Sequence, residues 1–489
     1  APIHCTLAQD RVLKNDRPRR TLEYIAPYYS KELKVPDIKH YIQEHKLFEG
    51  VGEERRPCYE KVPFEMMVNY GCQDARLEYI IGKKQESLIE CEPKIFHVFQ
   101  NEKTLTSTTA RIRERRIGLD RDFIQSAIKH ESNALAEIHG TFFQLTGENF
   151  KDSAKALTPI FNSLSIPIPR TSKNKTGISF DKWSLAKVDH PLAKTILAIR
   201  EKDTLINTFY KTWLQQADRY NGEGIIHLNQ WGAETGRLSS SDPNIHNLPK
   251  EKKAEGPYSV RGCFKPRDGY CFVMMDFDQQ EFRMTLDYAN HQKIIRGIRD
   301  EGLCPHQMTA DAVGITRDQA KTVNFLIIYG GGNNALAQQL GITSYQAALI
   351  MEDYRRGMAP VWNLKKAVEA RALRRGHIYN WYGRKCHLAK PNLAYKMLNH
   401  LIQGGGADII KIAMNRAEQL LTKMKSRLLL SLHDELLFEI HKDELDIVPK
   451  LQEMMEAIYP PRNGLPLTVG VDHSWESWAT IKKIEGMPE

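Results

Sequence analysis

The chain has 489 residues, 41% hydrophobic and 26% charged, long enough for roughly two to four domains with ordinary cores. Lys and Arg exceed Asp and Glu by 69 − 60 = +9, a moderate basic balance that suits a polyanionic partner. The eight cysteines are scattered, with no Cys-x-x-Cys pair and no zinc-like Cys/His spacing, which excludes a disulfide framework. No apolar span reaches membrane-crossing length and no signal-peptide pattern is present, so the expectation is a soluble chain, cytoplasmic or organellar and not secreted, with no membrane partner. It begins with Ala1 rather than Met, the expected mark of a processed chain or a fragment.

The first ninety or so residues are mixed and end in "VNYGCQDARLEYIIGKK", whose apolar spacing predicts a helix. From about Ile89 to Ala217 the pattern is mainly helical, broken by "PRTSKNKTGISFD", a polar and basic loop carrying Lys173 and Lys175. Basic clusters at "RIRERR" (Arg111 to Arg116), "SKNK" (Ser172 to Lys175) and "KEKK" (Lys250 to Lys253) could each follow a phosphate backbone, although a lone charge run is usually a solvated face. A β-rich region starts near Gly224, and the strand "GYCFVMMD" follows. Helix is then expected from about Cys304 to Arg374 and from Leu393 to Lys425. The chain closes on "LLLSLHDELLFEI", Leu428 to Ile440, which reads as two buried strands joined by a tight turn. Helices inserted between strands that carry acids predict one sheet assembled from distant segments.

Carboxylates recur at strand ends. In "YCFVMMDFDQQEFR" the apolar run stops at Asp276, with Asp278 and Glu281 just beyond, and in the last hairpin His433, Asp434 and Glu435 sit at the tip. Acids beside a buried sheet are costly to desolvate, so they pair with cations, bind metal or stay wet. Taken alone, each is as compatible with a solvated turn as with a metal site; together, Asp276 and Asp434 are what a site for two Mg²⁺ ions would require. Between them, "TRDQAKTVNFLIIYGGG" carries a capping box, Thr316 with Gln319, and Gly330 to Gly332 to stop the helix. Arg317, Lys321, Phe325 and Tyr329 recur every four residues on one drifting face, running from cations to aromatics. A nucleoside triphosphate has the same polarity, although an amphipathic helix with a buried aromatic edge has it too.

These segments resemble the family A DNA polymerases. "DFDQQEFR", "RDQAKTVNFLIIYG" and "LHDEL" are similar to three of that family's motifs, and "TGRLSSSDPNIHNLP", Thr235 to Pro249, is the most specific match. The resemblance runs from about Arg115 onward, taking in "HPLAKTILAIREKDTLINTF" and "IQGGGADIIKIAM". It implies an α+β, multidomain right hand, with an antiparallel palm sheet, helical fingers and thumb, and a partial 3′→5′ exonuclease-like domain in front. The boundaries expected are 1–92 for the truncated exonuclease-like domain, 93–220 thumb, 221–295 and 405–489 palm, and 296–404 fingers.

The activity implied is addition of dNTPs to a primer 3′-OH, with primer-template DNA and dNTPs as partners, two Mg²⁺ (or Mn²⁺) as cofactors and a monomeric chain. The site residues implied are Asp276, Asp434, Glu435 and Lys321 in catalysis, and Asp276, Phe277 and Asp434 at the metals. Arg317, Lys321, Phe325, Tyr329, Glu281, Gln279 and His306 would meet the nucleotide, with Glu281 as the steric gate against a ribose 2′-hydroxyl. Arg237, Asn399, Gln403, His433, Lys173 and Lys175 would meet DNA. Donors in the minor groove can test pair shape without reading sequence, because its acceptors are nearly equivalent for every pair. Three positions depart from the family pattern: Asp278 for Ser, Leu326 for Gly, and Tyr395 for Arg. "YGCQD" resembles the Tyr-x-x-x-Asp motif of the family's exonuclease, and makes Tyr70 and Asp74 the expected remnant of a site without proofreading activity. A single-subunit RNA polymerase and a catalytically idle DNA-binding relative are the alternatives; Glu281 argues against the first, and the presence of both metal acids against the second.

Overall fold

The computed structural model describes residues 5–17, 19–34, 37–50, 55–170, 177–249 and 257–483. Lys173, Lys175 and the Lys250 to Lys253 cluster lie outside the described residues.

A five-stranded antiparallel sheet organises the molecule. Its strands are β1 (Tyr270–Phe277), β2 (Arg427–Leu432), β3 (Glu435–His441), β4 (Val469–Ser474) and β5 (Lys482–Lys483), in the order β2-β3-β1-β4-β5. The expected hairpin is therefore β2–β3. Strand β1 is central, so both its backbone edges are paired, and its side chains from Cys271 to Val273 are buried on both faces. That explains why its sequence is a continuous apolar run rather than an alternating one.

Six longer helices matter to the site: α1 (Phe64–Glu90), α2 (Pro93–Arg115), α3 (Arg121–Thr146), α4 (Gln280–Ala289), α5 (Arg317–Ile328) and α6 (Met397–Leu420). The segment predicted as helix from Leu393 is a 3₁₀ turn, Pro391–Lys396, followed by α6. Helix α6 is buried almost all round, and its Gly404–Gly406 run explains how. A Cβ on Gly404 would lie 3.0 Å from the Thr235 carbonyl oxygen, one on Gly405 2.8 Å from Met284, and one on Gly406 within 2.4 Å of Gln280. Without those atoms, α6 seats directly on α4 and on the segment that leads to β1.

One large core joins the sheet, α4, α5, α6 and the inner face of α2. A second, separate core begins at Phe142 in the outer half of α3 and takes in Phe161, Phe180, Leu192 and Ile196. A distinct helical lobe thus rises from the sheet-bearing body. Before residue 93 the described residues form helices and one two-stranded ribbon, with small clusters such as Ile25 against Leu77 and Ile81. Among the described residues no helix is long and apolar enough to cross a membrane.

Candidate active site

Antiparallel pairing puts the acids together. Asp276 near the end of β1 is directly opposite Glu435 on β3 and Gly470 on β4. Asp434 occupies the β2–β3 turn, where His433 takes up the left-handed φ of 57° that the reversal requires. The Phe277 amide donates to the Asp434 carbonyl at 3.4 Å and ties the two segments. The Phe277 side chain is fully buried, which leaves only its main-chain carbonyl as a ligand.

The electrostatics are unusual for an ordinary turn. Burial pushes the Asp276 carboxyl up to about 8, and Asp434, Glu435, Asp278 and Asp472 add to the shift. Burial raises Asp434 as well, against its own amide and Arg237. Asp276 Oδ1 is buried and receives no hydrogen bond. Asp278, the first departure, turns its carboxylate to Thr468 Oγ1 at 2.8 Å, so it contributes field rather than a ligand.

Glu281, in the first turn of α4 and 6% exposed, is a junction. It accepts from Arg237 and, at 3.0 Å, from the Tyr329 hydroxyl, and Gln403 also bonds to it. Burial raises its carboxyl, and these donors oppose the rise. Three residues assigned separately, two to DNA and one to the nucleotide, therefore converge on the gate acid. Gln279 takes a left-handed φ of 50° at the start of α4, with Oε1 buried and unbonded. Asn399 Oδ1, two residues past the start of α6, is buried and unbonded too.

Helix α5 is capped as predicted, with the Thr316 hydroxyl and the Gln319 side chain each bonded to the other's amide. Arg317 and Lys321 are exposed on its first turns, and Phe325 lies 6.0 Å from Tyr329, centroid to centroid. His306 is stacked at 5.0 Å on Phe282, and burial, reinforced by Lys321 and Arg317, pushes its pKa down to about 4. Its Nδ1 accepts from Asn324 Nδ2 at 3.1 Å, while Asn324 Oδ1 accepts from Tyr354 OH at 3.0 Å. This relay leaves the proton on Nε2, which is buried and has no protein partner.

Asn324 and Tyr354 escaped the sequence reading because they lie on the inner side of the fingers, where nothing in a linear motif distinguishes a tautomer-setting amide from core. His246 was missed as well. Its Nε2 donates to the Ser431 carbonyl at 3.0 Å and its ring lies 5.6 Å from His433, bracing β2 just before the acidic turn. The other two departures pack on the glycine stop: a Cβ on Gly331 would come within 2.2 Å of Leu326, and one on Gly330, at φ +77°, within 2.4 Å of the Tyr395 carbonyl. Far from all of these, Asp74 accepts from Lys34 Nζ at 2.7 Å, and that ammonium lies 4.8 Å from the Tyr70 ring.

Comparison with known proteins bears on this arrangement. The family model described as DNA polymerase family A matches residues 121–480. The chain is 26% identical to DNA polymerase I of Synechocystis sp. over 475 residues, covering 89% of this chain and 48% of the relative. It is 28% identical to the thermostable DNA polymerase I of Thermus aquaticus over 415 residues, covering 80% and 49%. The chain thus spans about half the length of the curated relatives it matches. In fold it is similar to the POL domain of Pol1 from M. smegmatis, solved in complex with DNA primer-template and dNTP. The TM-score is 0.81 at 24% identity, over 97% of this chain and 81% of the other.

Proposed function

The chain belongs to DNA polymerase family A, and from that premise we propose that it is a template-directed DNA polymerase, adding deoxynucleotides to a primer 3′-hydroxyl. The observation that carries the reading is the pair Asp276 and Asp434, buried side by side with Arg237 the only cation that lowers either. Carboxylates held this way need positive charge from outside the protein.

Asp276, Asp434 and the Phe277 carbonyl would hold two Mg²⁺, a hard-oxygen donor set to which the unbonded Asp276 Oδ1 is suited. When bound, the ions neutralise the transferring phosphoryl group and help ionise the attacking hydroxyl. Glu435, opposite Asp276, supplements the negative field. Arg317 and Lys321 receive the triphosphate from the exposed turns of α5, and His306 offers Nε2–H to a phosphate oxygen as a neutral donor. Phe325 packs on the incoming nucleoside, Gln279 borders it, and Tyr329 stands at the template side. Glu281 fills the space of a 2′-hydroxyl, held there by Arg237, Tyr329 and Gln403. Arg237, Gln403, Asn399 and His433 face the minor groove of the primer-template, and Lys173 and Lys175 its backbone. Arg237 and Gln403 would thereby couple pair shape to the gate.

We also infer that this chain does not proofread: Asp74 is neutralised by Lys34, and one carboxylate cannot hold two divalent ions against phosphate and water. The deciding experiment is primer extension in Mg²⁺ with dNTPs and, separately, NTPs. Extension with dNTPs alone supports the reading; extension with NTPs alone favours an RNA polymerase, and none in either, with DNA still bound, an idle binding protein. A labelled mismatched primer incubated without dNTPs, using an Asp276→Ala/Asp434→Ala double variant, tests the nuclease statement; stepwise 3′ shortening would overturn it.

A further inference from the structure

A cavity of about 360 Å³ lies between the C-terminal half of helix Ala359–Arg375, the far end of α4 and the loop bearing Arg462. Its charge is one-sided: Lys94, Arg371, Arg375 and Arg462 line it and no Asp or Glu does. The carboxylates on the flanking segments are committed elsewhere. Glu92 accepts from Lys385 Nζ at 3.1 Å and from Tyr379 OH. Asp287 accepts from Tyr459 OH at 2.8 Å and from the amides of Arg462 and Asn463 at 2.8 and 2.7 Å. Among the described residues none of the four cations forms an ion pair; Lys94 lies 5.0 Å from the Tyr379 ring centroid and Arg462 4.6 Å from that of Tyr288.

Converging like charges repel unless an anion joins them. A further donor is ready there, because the Tyr288 hydroxyl is buried with no acceptor for its proton among the described residues. The remaining wall, Leu364, Val368 and Leu401, is apolar. The volume is at the small end of ligand sites, with room for one nucleotide. We propose that this cavity is a second nucleotide-binding site, in which the four cations and Tyr288 hold a phosphate ester and the apolar wall receives the base. Tyr288 is seven residues beyond Glu281 on α4, about 10 Å along the helix axis, so an occupant would stay clear of the palm acids. The phosphate ester comes either from one nucleotide of a single-stranded template or from a free nucleotide. The site does not depend on the proposed polymerase activity.

The test uses the full chain with Arg371→Glu/Arg375→Glu, two exposed helix positions whose reversal spares the core, and Tyr288→Phe, which removes only the donor. Binding is measured to primer-templates with a 1-nucleotide and a 16-nucleotide 5′ overhang across a salt series, and to a fluorescent dAMP analogue in EDTA. If the template is the source, the double reversal loses about tenfold on the long overhang and its salt slope falls by about 1.4, for two lost single-strand phosphate contacts, with the short overhang unchanged. If a free nucleotide is the source, the loss falls on the dAMP analogue instead. Tyr288→Phe should lower affinity several-fold in the same arm. Equal loss on both overhangs, or no loss in any arm, overturns the site. Primer extension on the short overhang should match wild type, and failure of wild-type extension would count against the polymerase reading while leaving the binding arms readable.

Discussion

Behind α6, Glu102 and Asp408 are as thoroughly buried as the acids of the palm sheet, yet their surroundings differ. Glu102 accepts from Lys411 Nζ at 2.7 Å and from Arg384, and Asp408 accepts from Arg384 Nε at 3.0 Å and from Asn380 Nδ2 at 2.6 Å. Two anions meet two cations inside the protein, clamping α2, α6 and the hairpin that carries Arg384. At the sheet, by contrast, Asp276 faces Asp434, Glu435, Asp278 and Asp472, four further carboxylates that raise it. Burial alone is therefore no sign of a site; burial without internal compensation is, because the missing charge must arrive with a ligand.

The largest effect should come from removing the uncompensated pair. Asp276→Ala or Asp434→Ala is expected to cut extension by on the order of a thousandfold or more, while DNA affinity, spread over many phosphate contacts, changes little. Near-normal extension by either variant would remove the distinction between the two clusters.

The same neutralising change should then have opposite effects on stability. Glu102→Gln leaves Arg384 and Lys411 short of a buried counter-charge and should cost about 3–5 kcal/mol. Asp276→Asn in EDTA should stabilise. Asp276 is raised from its unfolded value, so its contribution is fully present below about pH 4 and lost as pH rises to about 8. Thermal melts of wild type from pH 5 to 9 should show that loss, Asp276→Asn should flatten it, and Mg²⁺ should restore wild type alone. A melting temperature that falls equally in both variants would show the two clusters to be energetically alike.

The sequence made the sheet, the capping box and both metal acids legible because each is written locally: an apolar run that stops at an acid, a Thr three residues before a Gln, a triple glycine. The compensation was not legible. Arg384 and Asp408 lie on different elements, Glu102 belongs to a helix nearly three hundred residues away, and Arg237 reaches Glu281 across the palm. Such pairs are set by how α6 seats on its neighbours through Gly404–Gly406, a tertiary fact without a linear signature. The relay from Tyr354 through Asn324 to His306 was hidden for the same reason.

Between these extremes stands Glu281, buried but partly compensated. Glu281→Ala opens the space beside the sugar and also releases Arg237 and Tyr329, so two effects are expected. Preference for a dNTP over its rNTP should fall by about ten- to hundredfold in kcat/KM, and overall kcat/KM for the dNTP should drop as well. Tyr329→Phe loses only the hydrogen bond and should move the ratio much less. If the ratio is unchanged in Glu281→Ala, the gate lies elsewhere and the convergence on this acid is structural.

The smallest effect concerns a group compensated by staying neutral. His306 is depressed from 6.5 to about 4. Its neutral form matches the unfolded state above pH 6.5, so its contribution is fully present there. It is lost as pH falls towards 4, because the unfolded chain takes up a proton that the buried ring refuses. Between pH 7.5 and 5.5 this one ring should remove about 1.4 kcal/mol, one pK unit's worth. His306→Gln keeps an acceptor for Asn324 without a titrating group, so it should lose that much less stability than wild type across the same interval. Chemical denaturation at the two pH values, subtracted within each protein, isolates the difference and cancels His387, which burial also depresses, to about 3. Identical pH losses in wild type and variant would mean that His306 titrates as it does in water, and that the relay through Asn324 does not hold it neutral.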